Sequence, residues 1–355
     1  MRRLDKANAD IMFDPKWWNK HYDIDFGQRY YDDYRYRVEV EQLMKRSLFE
    51  RFGDLGLGEE HPDTVPVIST QHCPMCYIVG EMFGCDVRWE TNQGAWVREA
   101  KLAGEVVDQL AFHSIFDTPI MQKLVKEMDA LETEYGYVAG DINPQGILNN
   151  SYRVRGEDIF LDMVDAPERV HRLHQMITNA MIEFGSYMRD RTNTAAVSVT
   201  NIVEKVHPTI FVSSNCMRIM IAPDHWEEFV LPYEEQLAAA LKPFGMHDCG
   251  DNVEHYAAKY IKNALIEFVE IGWGSDIVKC RELLPLPIHI NARYSPIEMR
   301  ELDVDTVYKH TYDLVQTGKP HQYFSISVVA VDDTVTDDIV RAYFKGADDA
   351  WEERN

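Results

Sequence analysis

The stretch "GMHDCGDN" at residues 245–252 carries an imidazole and a thiol two positions apart, at His247 and Cys249. At the end of a β-strand, residues i and i+2 point to the same side, so both side chains can reach one ion. Zinc binds imidazole nitrogen and thiolate sulfur at about 2.0–2.3 Å. The flanking glycines, Gly245 and Gly250, allow a sharp turn and the close approach of a ligand. We therefore predict a zinc site here; the alternative is a polar turn with an incidental thiol.

A catalytic zinc ion commonly has three protein ligands and one open position, so the pair needs a third residue. Cys216, in "SSNCMR" just after the preceding predicted strand, is the first choice. Glu270 and Asp276, near the end of the next strand, are oxygen alternatives. Cys280 lies inside the predicted helix "SDIVKCREL" and is interpreted as a packed core thiol.

The segment "QHCPMCY" at residues 71–77 places His72, Cys73 and Cys76 after the first predicted strand. A thiol at a helix start in this position would have a lowered pKa. Cys73 is a candidate for substrate binding, and His72 is a candidate for orienting substrate or passing a proton. The open alternatives are a redox pair, which needs a thioredoxin-like context that this chain lacks, and buried thiols with no chemical role.

Polar residues also follow other predicted strands. Asp141 and Asn143 lie in "AGDINPQG", where Asp141 could act as a proton donor and Asn143 could anchor a polar substrate group. The alternative for this segment is an Asx turn before Pro144. Asn291 and Ser325 lie in two later strands and are further candidates for substrate binding.

These residues need a scaffold that brings strand ends together. Short apolar runs alternate with amphipathic helical segments from residue 65 onward, and the predicted strands are 65–70, 137–142, 209–214, 244–248, 264–272, 286–291 and 322–330. This alternation favours an α/β fold with a parallel sheet and crossover helices. The number of units favours a (β/α)8 TIM barrel, whose reactive side chains lie at the carboxyl ends of the strands. The chain has no GxGxxG or GxxxxGK motif, which argues against a nucleotide-binding protein.

Residues 1–62 are rich in aromatic and charged residues and are predicted to form an N-terminal helical extension or cap, ahead of a barrel at residues 63–355. Apolar spacing predicts one helix from Tyr34 to Phe52. The aromatic residues are interpreted as packing against the barrel or against a second subunit, which would make a homodimer. A substrate lid is the alternative.

The chain is strongly acidic, with 59 Asp and Glu against 36 Lys and Arg among its 355 residues, a net charge of −23. Such a surface repels nucleic acid and anionic lipid, so neither is an expected partner. The sequence contains no apolar run of about 18 residues and no secretory h-region, so we expect a cytoplasmic protein without a membrane span. In that compartment the six cysteines are expected to be free thiols or metal ligands.

Several segments together resemble the uroporphyrinogen decarboxylase superfamily, from about residue 62 to 350: "HPDTVPVIS", "EMFGCDVRWETNQGAWV", "IAPDHWEEFVLPYEEQL" and "FGMHDCGDN". The resemblance implies a (β/α)8 barrel. True porphyrinogen decarboxylases carry an arginine-rich "RQAGR"-like segment after the first strand, which binds the tetrapyrrole carboxylates. This chain has "STQHCPMC" there, without arginine. It is more similar to the corrinoid-dependent methyltransferase branch, whose HxCG motif matches "HDCG" at 247–250.

In that branch the His and Cys of the motif bind zinc. A methyl group moves between the cobalt of a separate corrinoid (cobalamin) protein and a small substrate, such as a methoxy compound, an amine or the thiol coenzyme M. The resemblance therefore implies zinc, and a corrinoid carried by a partner protein, because this chain has no DxHxxG-type cobalamin loop. The alternatives are a decarboxylase or lyase of a cyclic polycarboxylate such as a porphyrinogen, and a non-catalytic tetrapyrrole-binding barrel.

The chain departs from the thiol-methylating pattern in its last strand. Members of that group have a further Cys ligand there, in a "GCG"-like segment. The matching stretch here is "FSISVVAVDD", in which Val328 or a neighbouring serine takes that place. Either the third ligand has moved, for example to Cys216 or a carboxylate, or the site is looser.

Overall fold

The structure is a computed structural model, and it describes residues 7–353 except 70–75, 141, 194–202, 204–206 and 208. Within these residues the strands are β1 (Ala9–Phe13), β2 (Asp86–Glu90), β3 (Gly94–Arg98), β4 (Phe211–Ser214), β5 (Phe244–Asp248), β6 (Ile266–Ile271), β7 (His289–Arg293) and β8 (Phe324–Val331). The α-helices in the first half of the chain are α1 (Pro15–Tyr22), α2 (Gln28–Asp32), α3 (Tyr34–Phe52), α4 (Ile78–Met82), α5 (Gly104–Gln109), α6 (Pro119–Tyr135), α7 (Ile147–Arg155), α8 (Asp158–Asp165) and α9 (Pro167–Thr192). Those in the second half are α10 (Pro223–Phe229), α11 (Leu231–Ala240), α12 (Glu254–Tyr260), α13 (Ile277–Leu283), α14 (Pro296–Glu301), α15 (Val304–Thr317) and α16 (Asp337–Glu352).

Six strands form one parallel sheet in the order β1-β8-β7-β6-β5-β4, and helices follow the strands as crossover connections. Strands β2 and β3 form a separate antiparallel hairpin. Where strands were predicted at 65–70 and 137–142, the described residues form a single parallel bridge between Val67 and Ala139. The fold is therefore α/β and TIM-barrel-like, as predicted, with its parallel strand ends gathered on one side.

The region expected to be only helical also contributes a strand to this sheet. Strand β1 pairs in parallel with β8, and Ile11 lies opposite Val328. Its five residues, "ADIMF", follow a charged N-terminus, and their pairing partner lies more than 300 positions away in the chain. A run this short gives no local signal of such a long-range pairing.

The aromatic side chains of the N-terminal region pack into the main hydrophobic core. Trp17 and Trp18 are fully buried, and the Phe13 ring stacks on Trp17 with ring centroids 4.0 Å apart. Phe52, at the end of α3, also stacks on Phe13, with ring centroids 5.8 Å apart. Helix α1 begins at Pro15, where the Asp14 side chain accepts a hydrogen bond from the Trp17 backbone and caps the helix. These contacts support the interpretation that the aromatic residues pack against the barrel.

Two successive helices, α10 and α11, follow β4 and its 3-10 helix, and they are separated at Val230. Pro232 lies in the first turn of α11, and a proline cannot donate the backbone hydrogen bond that would continue a helix through it. Helix α3 has the predicted bounds, Tyr34–Phe52. Among the described residues, no helix combines the length and the apolar character needed to cross a membrane.

Candidate metal centre

Cys216, His247 and Cys249 lie together at the carboxyl ends of β4 and β5. Their potential ligand atoms are all within 4.8 Å of one another. Cys216 begins a 3-10 helix, Cys216–Met220, that follows β4, whereas His247 is in β5 and Cys249 comes directly after it. The structure thus brings together the three residues that the sequence selected as zinc ligands. We call them the Cys-His-Cys cluster.

A buried carboxylate holds the imidazole of the cluster. The Nδ1 atom of His247 hydrogen-bonds to Oε2 of Glu270, which leaves Nε2 as the nitrogen available to a metal. Strand pairing explains this contact, because His247 lies directly opposite Glu270 on β6. Glu270 is fully buried and does not belong to the cluster itself. A carboxylate in this position fixes the ring orientation and raises the basicity of a metal-binding histidine.

Beneath the cluster, a network of buried polar side chains continues from Glu270. Asn291 Nδ2 donates to Glu270 Oε1 and to Ser327 Oγ, each at 2.9 Å, and Asn291 Oδ1 accepts from Ser325 Oγ at 3.1 Å. Glu270, Asn291, Ser325 and Ser327 form what we call the support network, and all four are buried. Asn291 and Ser325 were predicted to bind substrate; in the structure their polar atoms bond to one another and to Glu270.

An ion pair connects the two loops that carry the thiols. Arg218, two residues after Cys216, forms a buried ion pair with Asp248, which lies between His247 and Cys249. Arg218 Nη2 also donates to the Asp251 carbonyl at 2.8 Å, and Tyr260 donates to Asp248 Oδ2 at 2.7 Å. These contacts fix the positions of the two loops relative to each other.

Cys216 is held in place through the residues on either side of it. Asn215 Nδ2 donates to Glu234 Oε1 at 2.6 Å, and Asn215 Oδ1 accepts from the Leu148 backbone at 3.1 Å. The Met217 backbone donates to Asn149 Oδ1 at 2.9 Å. Asn215, through its side chain, is thus tied to α7 and α11, and Met217, through its backbone, is tied to α7.

The turn after β5 requires glycine at a position that the sequence did not single out. A Cβ atom at Gly272 would overlap the carbonyl oxygens of Gly250 and Cys249. At Gly250 itself, a Cβ atom would meet the Ile219 side chain at 2.5 Å. Close backbone approach next to Cys249 therefore depends on Gly272, whereas a Cβ atom at Gly250 would displace only the exposed Ile219 side chain.

The electrostatics of the cluster favour one ionised thiol. The Sγ atoms of Cys216 and Cys249 are 2.8 Å apart, and their hydrogen bond lowers the pKa of Cys249 to about 7 and raises that of Cys216 to about 12. Burial by itself lowers the pKa of His247, but the charges of Cys216 and Glu270 outweigh it and raise the pKa to about 9. A thiolate is the form that binds metal.

The other sequence candidates have different outcomes. Asp276 caps α13 by accepting from the Lys279 backbone, and Cys280 is a fully buried core thiol, as predicted. Burial raises the pKa of Cys76 to about 11, so the lowered pKa expected for a thiol in this segment is wrong for Cys76. Asn143 is buried and its Oδ1 accepts from the Gln145 backbone at 2.8 Å, which is the Asx turn considered as its alternative. Three candidates lie outside the described residues: His72, Cys73 and Asp141.

Sequence reasoning missed Arg293, the last residue of β7. Its side chain is 2% exposed and lies 3.6 Å from Glu270 Oε1. The only signal in the sequence is a charged residue two positions after Asn291, in the short segment "HINAR".

The sheet and the cluster together define a TIM-barrel-like protein with a candidate metal centre at the carboxyl ends of its strands. Residues 73–323 match the sequence pattern of the uroporphyrinogen decarboxylase (URO-D) family, and the chain belongs to this family. A solved structure of a methyltransferase from Methanosarcina mazei is similar, with a TM-score of 0.67 and 11% identity over 98% of this chain and 95% of that chain. At this identity the likeness supports the fold alone. Comparison with curated proteins gives no match.

Proposed function

We propose that this chain is a zinc-assisted methyltransferase. It would move a methyl group between a small substrate, such as a methoxy compound, an amine or a thiol, and the cobalt of a separate corrinoid protein. The observation that carries the proposal is the Cys-His-Cys cluster, whose donor atoms lie within 4.8 Å of one another at the strand ends. Family membership and the HxCG motif agree with it.

The donor set fits zinc. One imidazole nitrogen and two sulfurs are ligands of the types that zinc prefers, and three protein ligands are the number typical of a catalytic site. Cys216, His247 and Cys249 would hold the ion, and Glu270 would keep the His247 ring in the ligating orientation. When bound, zinc acts as a Lewis acid that stabilises a thiolate or a departing alkoxide.

The chain's own residues would then keep the three metal ligands in fixed positions while the substrate reacts. The pairing of Arg218 with Asp248 holds the Cys216 and Cys249 loops together. The support network holds Glu270 from below through the amide of Asn291. A site held this rigidly loses little free energy to reorganisation during the reaction.

Exposed apolar residues next to the cluster support a protein partner. Ile219 and Met220, in the 3-10 helix that begins at Cys216, are each 56% exposed. Trp273, which follows β6, is 39% exposed. Exposed apolar groups gathered near one site often mark a protein contact. A corrinoid protein docking on this side would bring its cobalt to the strand ends.

Metal analysis and methyl transfer together test the proposal. The purified chain should contain about one zinc ion, and Cys216→Ser, His247→Ala and Cys249→Ala should each lower the zinc content. Cys280→Ser is the matched control, because Cys280 is also a buried cysteine but lies outside the cluster. Methyl transfer from methylcobalamin to a panel of thiols, followed by absorbance, should fall with the zinc content. Full transfer activity in a metal-free sample would end the zinc proposal.

The two alternatives predict different results. A decarboxylase of a cyclic polycarboxylate would release carbon dioxide from a porphyrinogen without metal. A binding barrel would retain a corrinoid or tetrapyrrole tightly with no turnover. The absence of arginine from "STQHCPMC" predicts no porphyrinogen decarboxylation.

A further inference from the structure

Arg293 is a buried cation with unsatisfied hydrogen-bond donors. Its side chain is 2% exposed, and its Nε and Nη1 atoms are buried with no hydrogen-bond acceptor among the residues that the structure describes. A guanidinium carries five N–H donors, and burying it without acceptors is costly. Such a group is expected to meet an acceptor when the site is in use.

The nearest acidic group does not supply that acceptor. Glu270 Oε1 lies 3.6 Å from Arg293 Nη1, beyond hydrogen-bond distance, and it already accepts from Asn291 at 2.9 Å. Glu270 Oε2 is engaged with His247. The neighbouring Ser327 hydroxyl also accepts from Asn291. Glu270 therefore compensates part of the charge of Arg293 but leaves its N–H groups available.

Arg293 lies at the same level of the sheet as the thiol of Cys249. Asn291 and His247 are both paired with Glu270. Arg293 comes two residues after Asn291, at the end of β7, and Cys249 comes two residues after His247, directly after β5. Two residues advance a strand by about 7 Å toward its carboxyl end, and the same side faces inward. Strands β5 and β7 flank β6, so the two residues start about 10 Å apart. Both side chains extend inward from these backbone positions. A molecule with a chain of three to five bonded atoms would span the distance that remains between their ends.

We infer that Arg293 binds the carboxylate of a small substrate whose sulfur or oxygen lies at the Cys-His-Cys cluster. This inference rests on the proposed function and narrows the substrate class to short thio or methoxy carboxylic acids. The guanidinium fork matches a planar carboxylate through two parallel hydrogen bonds. A chain with a net charge of −23 repels anions in general, so holding an anionic substrate requires a specific cation inside the site.

Thiols that share the same two-carbon chain and differ in the charge of the end group test the inference. The probes are 3-mercaptopropionate, neutral 2-mercaptoethanol and cationic cysteamine, titrated into cobalt(II)-substituted protein and followed by the sulfur-to-cobalt absorption band. The wild type should bind 3-mercaptopropionate at least tenfold more tightly than 2-mercaptoethanol, and cysteamine most weakly. Arg293→Gln should reduce that preference to less than threefold, and Arg293→Lys should keep part of it. Arg300→Gln, at a surface arginine that is 43% exposed, should leave it unchanged.

A structural role for Arg293 predicts other results. If Arg293 only balances the charge of Glu270, Arg293→Met should melt at a lower temperature and lose metal, and the wild type should bind the three thiols equally. If Arg293 binds substrate, Arg293→Met should fold, keep its metal and melt at an unchanged or higher temperature. Metal uptake with no preference for the carboxylate would overturn this inference and leave the proposed function intact.

A sulfur-free probe covers the case in which the proposed function fails. If the protein takes up no metal, propionate is added to the metal-free protein and the melting temperature is measured. A rise in the wild type that is absent from Arg293→Gln would support the carboxylate site on its own. No rise, or an equal rise in both proteins, would overturn it.

Discussion

Replacing Glu270 by glutamine should weaken metal binding without removing a ligand. The Glu270 carboxylate accepts from His247 on one oxygen and from Asn291 on the other. A glutamine amide has one oxygen and one NH2 group, so one of these donors would face another donor. Outer partners of metal-binding histidines typically contribute 10–100-fold in affinity. We therefore expect the zinc affinity of Glu270→Gln to fall by that factor, or about 1.4–2.7 kcal/mol.

The assay is a competition between the protein and a chromophoric chelator of known zinc affinity. Glu267→Gln is the matched control, because Glu267 lies on the same strand but is exposed to solvent. Circular dichroism should show that both variants are folded, since a buried donor left without an acceptor costs about 1–3 kcal/mol of stability. A Glu270→Gln affinity within about twofold of the wild type would refute the role given to this carboxylate.

Three further predictions concern the turn, the core and the sheet edge. Gly272→Ala should lower the metal content, because its Cβ atom would overlap the Gly250 carbonyl. Burial lowers the pKa of His174 from 6.5 to about 4 in the folded chain. Between pH 6.5 and 4 the unfolded chain therefore binds a proton at His174 that the folded chain does not bind. Stability from this group is complete above pH 6.5 and should fall by about 3 kcal/mol as the pH drops to 4, measured by urea unfolding. Deleting residues 1–13 removes β1 and exposes the edge of β8, so the truncated chain should aggregate in size-exclusion chromatography.

Each of these three predictions would be contradicted by a specific result. Gly80→Ala controls for the glycine change, since a Cβ atom at Gly80 would lie at an ordinary contact distance of 3.5 Å from the Arg153 and Cys85 side chains; equal metal content in both variants would contradict the close-approach argument. The free energy of unfolding of His174→Gln should fall less than that of the wild type as the pH drops from 6.5 to 4. An unchanged pH dependence would assign the lost stability to other groups. A monomeric truncated chain with the wild-type melting temperature would show that β1 is dispensable.

The sequence was sufficient to predict the later strands and the cluster because both depend on local patterns. Strands β4 to β8 are short apolar runs, and each lies at or close to its predicted position. His247 and Cys249 share a side because of their spacing, and Cys216 follows the adjacent strand β4. Once parallel strands are aligned, residues at neighbouring strand ends necessarily approach one another.

The remaining features depend on strand register, which the sequence alone does not specify. Glu270 was considered as a ligand, but its pairing opposite His247 makes it the hydrogen-bond partner of the imidazole instead. Arg293 became relevant only when its pairing opposite Ser327 placed it on the same side as the support network. A shift by one residue would have turned each of these side chains to the opposite face.

Strand register also explains why the third ligand of the cluster comes from Cys216 and not from β8. Val328 lies opposite Ile11 and is buried in the main hydrophobic core, whereas Ser325 and Ser327, on the alternate face of β8, bond to Asn291. A cysteine at position 328 would therefore point away from the Cys-His-Cys cluster. The inward-facing residues of β8 are serines that hydrogen-bond to the Asn291 amide. Strand β8 therefore helps to orient Glu270 and does not supply a thiolate. Cys216 follows β4, which pairs with β5 on the side away from β6 and β7, and so supplies the second sulfur of the cluster from that side.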